Sequence, residues 1–370
     1  MTSNEHATTL IQRVRVFDGT GVKERTCVLI EGGRIVAVDP DLDATGRQVV
    51  DGTDRVLLPG LIDAHVHLHG VENLEQLTRA GVTTALDMAC WPRELVDGLR
   101  HRRGLTDIRS AGIPATAPGS THSKMPGRPE AALVAGPADA DAFVSARVAE
   151  GSDYIKLIAD VPGPDQATLD ALVVAAHRQG RRTVAHAVSA VPYRMALAAG
   201  ADVITHAPLD AALDEETVAQ LRQQGCVTVP TLTMMRAVAE RFFGTSDDDP
   251  AAPGPGYHNA RRSVGLLHNA GVPILAGTDA NTAEGVPANI KHGESLHTEL
   301  ELLVQAGLRP AEAIAAATAL PARHFGLTDR GAVTVGLRAD LVLVAGDPVA
   351  DIADMRNTER VWCAGVEHIR

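Results

Sequence analysis

From Leu61 onward the chain repeats one rhythm, a short apolar run followed by a longer stretch with helical periodicity. Two strands joined through a helix lie parallel, so a series of such units builds a parallel sheet covered by helices. The runs begin near Leu61, Val82, Ile108, Tyr154, Thr183, Asp202, Val227 and Pro273, with amphipathic segments such as 165–179 and 294–306 between them. Eight runs are the number that closes a (β/α)8 TIM barrel, which takes about 250 residues. The expected fold class is therefore α/β, with residues 59–330 forming the barrel.

The pattern differs on either side. Residues 9–58 alternate apolar and polar positions between turn signals, as in Leu10-Ile11-Gln12-Arg13-Val14-Arg15-Val16 and in Arg34-Ile35-Val36-Ala37-Val38 after Gly32-Gly33. This is the pattern of a small antiparallel sheet. The tail from Gly331 returns to short β-type segments and ends at Val361-Trp362. The Asp247–Gly256 stretch, rich in Asp, Pro and Gly, reads as a mobile loop after the seventh strand.

Composition narrows the class of partner. A net charge of −12 opposes attraction to nucleic acid or an anionic membrane surface, so a small-molecule substrate is expected instead. No stretch approaches the roughly 18 apolar residues of a membrane span, and the residues after Met1 are mostly polar, so a cytoplasmic location is expected. Cys27, Cys90, Cys226 and Cys363 are widely spaced and show no Cys-x-x-Cys pair, which leaves neither a disulfide framework nor a thiolate zinc site. With aromatics at 3%, the core has to be built from Ala, Val, Leu and Ile. A homo-oligomer is allowed.

Within the first run, Pro59-Gly60-Leu61-Ile62-Asp63-Ala64-His65-Val66-His67 places two histidines at i and i+2, on the same side of a strand. Two imidazoles held this way can grip one metal ion, although the spacing alone suits an incidental pair equally well. Four further polar residues stand near the ends of later runs: Lys156, His186, His206 and Asp279. In a (β/α)8 barrel those ends share one mouth, where the chemistry is done. His122 and His292 fall in loops at the same end, and Lys124, Arg128, Arg236 and Lys291 are basic groups there that could hold a carboxylate. Met125, Met234 and Met235 offer adaptable apolar contact. His69 suits the mouth or an exposed loop equally, while His177, His258, His268 and His297 fall in helical stretches and receive no role.

The ordered set of six, His65, His67, Lys156, His186, His206 and Asp279, resembles the amidohydrolase superfamily in its branch with two metals bridged by a carboxylated lysine. The stretches 294–303 and 315–318 resemble the prolidase-like and imidazolonepropionase-like members. The resemblance implies that the tail completes the N-terminal sheet as a composite β-sandwich domain of residues 1–58 and 331–370. It also implies that His65, His67 and Asp279 hold one divalent metal, that His186 and His206 hold the other, and that a CO2-derived carbamate on Lys156 bridges them with a hydroxide. Zinc is the first choice, and manganese, cobalt or iron suit the same ligands. Asp279 would act as base and then acid, and with Lys156 it is the catalytic pair; His122, His292 and Arg236 are the substrate candidates. The implied reaction is hydrolysis of an amide C–N bond in a small molecule such as an Xaa-Pro dipeptide or an N-acyl amino acid. Cyclic amides, carbamates and phosphoesters are alternatives, as is a non-catalytic binding role on the same fold. A deaminase is a further alternative, although deaminases of the superfamily generally work with one metal and no bridging lysine. Thr205-His206-Ala207 departs from the Glu-His-Gly typical of those relatives, which puts the surroundings of His206 in doubt.

Overall fold

A computed structural model describes residues 8–244 and 254–370. Most of the loop expected at Asp247–Gly256 lies outside the described residues. The N-terminal strands are β1 (Thr9–Val16), β2 (Thr26–Glu31), β3 (Arg34–Val38), β4 (Gln48–Asp51) and β5 (Arg55–Pro59). Parallel strands follow as β6 (Leu61–Val66), β7 (Val82–Asp87), β8 (Asp107–Ser110), β9 (Ile155–Ile158), β10 (Thr183–His186), β11 (Val203–Thr205) and β12 (Val227–Val229). The chain ends in β13 (Leu341–Ala345), β14 (Thr358–Cys363) and β15 (Val366–Ile369).

Helices cross between successive parallel strands, such as Gln166–Arg178 near the expected 165–179, and Glu294–Gln305, near the expected 294–306, follows the last of them. Asp165 caps the first by accepting from the Thr168 amide at 2.9 Å. The strands form one sheet in the order β6-β7-β8 and another in the order β12-β11-β10-β9. Backbone bridges run between the two. Ala115, beyond β8, pairs with Leu157 of β9, and the segment 273–280 pairs through Ile274 with Thr228 of β12 and through Ala280 with Val66 of β6. The eighth expected run, from Pro273, thus contributes bridges and not a regular strand. The Gly277-Thr278-Asp279 turn interrupts it, with Thr278 bonded to Asp63 and Asp279 in a left-handed conformation.

Gly277 marks how closely this segment presses on β6. A Cβ at that position would stand 2.5 Å from Val229 Cγ1 and 2.9 Å from the His65 nitrogen, so no side chain fits. The Ala64 amide donates to the Ala276 carbonyl at 2.9 Å, the Asp279 amide to the His65 carbonyl at 2.8 Å, and the His67 amide to the Ala280 carbonyl at 2.9 Å. Three ligand candidates are thereby set by main-chain bonds before any side chain acts.

The chain's two ends share one sheet, ordered β15-β14-β13-β5-β1-β2-β3, with β4 beside β1. Ile11, Val28, Ile35 and Leu57 from the front of the chain enclose a small core together with Leu341, Leu343 and the fully buried Trp362 from its tail. Arg330, 3% exposed, fastens this sheet to the parallel strands: it donates to Thr84 of β7 and pairs with Asp107 of β8 and with Asp340 just before β13. The main core is Ala, Val, Leu and Ile with few aromatics, and the four cysteines are buried and unpaired. No helix among the described residues is long and apolar enough to cross a membrane.

Candidate metal centre

The parallel strands bring polar side chains together at their C-terminal ends, most of them buried and His67 and His186 partly exposed. His65 and His67 point to one side of β6, and their Nε2 atoms lie 3.4 and 2.9 Å from Asp279 Oδ1. These three could hold one cation among them. The His206 ring lies 4.9 Å from that of His65, and the His186 ring 4.5 Å from that of His206, centroid to centroid. Lys156, the second residue of β9 and 2% exposed, donates from Nζ to Thr205 Oγ1 at 2.9 Å. All six of the sequence's metal-ligand candidates therefore stand in one neighbourhood.

The state of each group follows from burial. Burial drives the His65 and His186 imidazoles well below their ordinary range and takes His206 to about 3, so all three are neutral and keep a lone pair. Burial also lowers Lys156 to about 7, against the pull of Asp279 and Asp87, which gives it a substantial neutral fraction. For Asp279 burial pushes the carboxyl up, but the hydrogen bond and charge of His67, with the charge of Lys156, hold it below the ordinary carboxylate value. His186 Nε2 and His65 Nδ1 are buried without a hydrogen-bond partner. A buried imidazole nitrogen normally finds a donor or acceptor, so these atoms, neutral and clustered around an anion, fit the donor set of a divalent cation.

The backbone is strained at the same place. Of the seven non-glycine residues with positive φ among the described residues, His206 at 74°, Thr231 at 48° and Asp279 at 56° belong to this site. A left-handed threonine is costly because its branched Cβ crowds the carbonyl. It persists here because the surroundings hold it: Thr231 Oγ1 lies 2.8 Å from His206 Nδ1, which leaves Nε2 of that ring for a ligand.

Several contributors to the site were missed in the sequence. Asp63, fully buried, accepts from the Thr278 hydroxyl at 2.7 Å and from the His65 and Thr278 amides, and burial raises its carboxyl to about 7. Asp87 accepts from the Leu68 amide at 3.1 Å and the Ser110 hydroxyl at 2.6 Å. Glu299, on helix Glu294–Gln305, takes the amides of Leu232 and Thr233 at 2.9 and 2.7 Å and the Thr233 hydroxyl at 2.8 Å. It therefore anchors the residues directly after Thr231. Glu299→Ala is expected to cost about 2–4 kcal/mol, because it strands two amides and a hydroxyl in the interior. Urea unfolding measures this, and a loss under about 0.5 kcal/mol would rule out the anchoring role.

The proposed substrate residues separate. The His122 ring packs edge-on against His186 at 4.6 Å and stands 3.5 Å from Asp160 Oδ2, so it lies at the centre. His292 is turned toward the backbone: its Nε2–H donates to the His67 carbonyl at 2.8 Å, and Nδ1 faces the Asn73 amide at 3.3 Å. Arg236 is partly exposed on helix Leu232–Phe243, with Nε 4.0 Å from Glu240 of the same helix. His69 reaches Asn281 Oδ1 at 2.9 Å, and His177, His258, His268 and His297 lie in helices.

The profile of the amidohydrolase family matches residues 56–367. An uncharacterized protein of Mycobacterium tuberculosis is 29% identical over 363 residues, with 89% of each chain covered. An adenine deaminase of Deinococcus radiodurans is 28% identical over 86% of this chain, which spans 55% of that enzyme's length. Among solved structures, a Xaa-Pro dipeptidase with methionine in its active site superposes with a TM-score of 0.83 at 24% identity, covering 98% of this chain and all of the other. The ochratoxinase of A. niger superposes with a TM-score of 0.78 at 21% identity, covering 99% of this chain and 96% of the other.

Proposed function

Because the chain belongs to the amidohydrolase family, we propose that it is a metal-dependent hydrolase that cleaves an amide C–N bond in an acyclic small molecule such as an Xaa-Pro dipeptide or an N-acyl amino acid. The observation that carries this reading is the buried cluster of neutral histidines around Asp279, with Lys156 beside it. We read the two parallel sheets and their bridges as one closed (β/α)8 barrel and the terminal strands as a β-sandwich. The preferred location is the cytoplasm.

His65, His67 and Asp279 would hold one divalent ion and His186 and His206 the other, zinc being the preferred metal. The neutral amine of Lys156 would add CO2 through its lone pair and release a proton, becoming an anionic carbamate between the two sites. Bound there, a pair of cations lowers the pKa of a water and draws charge from the substrate carbonyl. Asp279, kept ionised by His67, takes the water's proton as the water oxygen bonds to the carbonyl carbon. As the C–N bond breaks, Asp279 returns that proton to the departing nitrogen. His122, whose ring rests against His186, would donate to the substrate's carbonyl oxygen.

The test is release of free amine from pooled dipeptides and N-acyl amino acids by protein reconstituted with zinc and bicarbonate. Amine release is expected, and silence across the whole pool would exclude an acyclic amidase. The similarity to adenine deaminase favours a second reading, attack of the same water on a ring carbon that bears an amino group. Ammonia release from adenine would select it.

A further inference from the structure

The loop between β8 and β9 carries His122 and closes on itself. The Thr116 amide donates to Ala132, the Val134 amide donates to Thr116, and Ser120 ties its hydroxyl to Thr116. Arg128 lies on this braced loop. Its guanidinium carbon stands 4.9 Å from the centroid of the Trp91 ring, Nε donates to the His122 carbonyl at 3.2 Å, and Nη2 meets only the sulfur of Met125 at 3.6 Å. Nη1 is buried and has no partner. Trp91 in turn donates from its indole to Gly127 at 3.3 Å, so the stack is held from both sides.

A guanidinium cannot shed its charge, so withdrawing it from water without a counter-ion is costly. At several other arginines of this molecule that cost is met by acid. Arg100 pairs with Asp153, Arg109 with Asp107, Arg147 with Glu150 and Arg330 with Asp107, each within 3.0 Å. Among the described residues Arg128 has no such pair. The aromatic face of Trp91 stabilises part of the charge and leaves the Nη1–Nη2 edge of the fork without an oxygen partner. The residue to which Arg128 is bonded is the one whose ring rests against His186. An anion received by that fork would thus be connected to the proposed reaction centre through His122.

We propose that Arg128, stacked on Trp91, is the subsite for a carboxylate of the substrate, which makes the preferred ligand an amide with a free carboxylate on its amino-acid part. This rests on the hydrolase reading for the word substrate, but its geometry and its test do not need turnover. A planar fork with an open edge takes a carboxylate through two parallel N–H···O bonds, which an ammonium or a neutral amide cannot reproduce.

The chain has two tryptophans, Trp91 on this stack and Trp362 buried in the β domain, so indole fluorescence reports on the subsite. The full chain, with zinc and after chelation to prevent hydrolysis, is titrated with N-acetylproline and with N-acetylprolinamide. The acid is expected to bind about 10–100-fold more tightly than the amide and to change the Trp91 emission. Arg128→Gln should abolish that preference, and Arg128→Lys should restore only part of it, with unchanged melting showing that both variants are folded. An absent preference, a preference that survives in Arg128→Gln, or no response to the acid overturns the subsite. If the preference depends on Arg128 but no amide releases amine, the hydrolase reading fails and the carboxylate site stands. If amine is released and Arg128→Gln keeps the preference, the reverse holds.

Discussion

Lys156→Ala is expected to lower turnover by about a thousandfold or more while the protein still folds. Lys156 lies on β9 among neutral imidazoles, and under the proposed carbamate it is the group that would supply an anion between the His65–His67–Asp279 group and the His186–His206 pair. Alanine would remove the proposed anion together with the bond to Thr205, so both activity and metal content should fall. The measurement is amine release by wild type and variant after reconstitution with zinc and bicarbonate, with elemental analysis of the same samples and a melting curve for each. About two ions per wild-type chain and fewer in the variant is the expected pattern. Wild-type turnover in Lys156→Ala would refute the bridging role.

Asp279→Asn separates holding the metal from moving the proton. An amide side chain keeps one oxygen for a cation but is not a base, so the variant should retain part of its metal and lose about 10²–10⁴ in kcat. The fold should tolerate it, because the turn at Asp279 is fixed by its amide bond to His65 and by Thr278 on Asp63, neither of which uses the Asp279 carboxylate. Elemental analysis alongside kcat decides. A fully active variant removes Asp279 from proton transfer, and an inactive variant without metal would leave it a ligand alone.

The ligand candidates were legible because a strand has only two sides. His65 and His67 differ by two residues, and a polar side chain that closes an apolar run must leave the core at the strand's end. The groups that support them were harder to see. Asp63 sits in the same run at the same parity as His65, and an acid inside an apolar strand was a signal that went unread. Glu299 lies in a helix whose other acids, Glu294 and Glu301, are not buried, so helical periodicity alone did not mark it as the one turned inward. Loop residues depend on tertiary placement: Arg128 and Arg236 look alike in sequence, yet one is stacked on Trp91 and bonded to the His122 carbonyl while the other lies next to Glu240 of its own helix. The eighth run illustrates a different limit. Its apolar composition announced a strand, but the close approach at Gly277 and the turn at Asp279 broke its regularity where the chemistry is expected.

The shared sheet also dictates an order of events while the chain is being made. β5 leads directly into β6 across Gly60, yet its partner β13 is more than the whole series of βα units away, with Leu57 opposite Leu343 and Pro59 opposite Leu341. β13 therefore cannot cover this edge until the whole series of βα units has been made, and although β1 already flanks the other side of β5, the open edge and its apolar side chains wait. The nascent chain is most prone to aggregate in that interval, and its final strands act as the clasp that ends it.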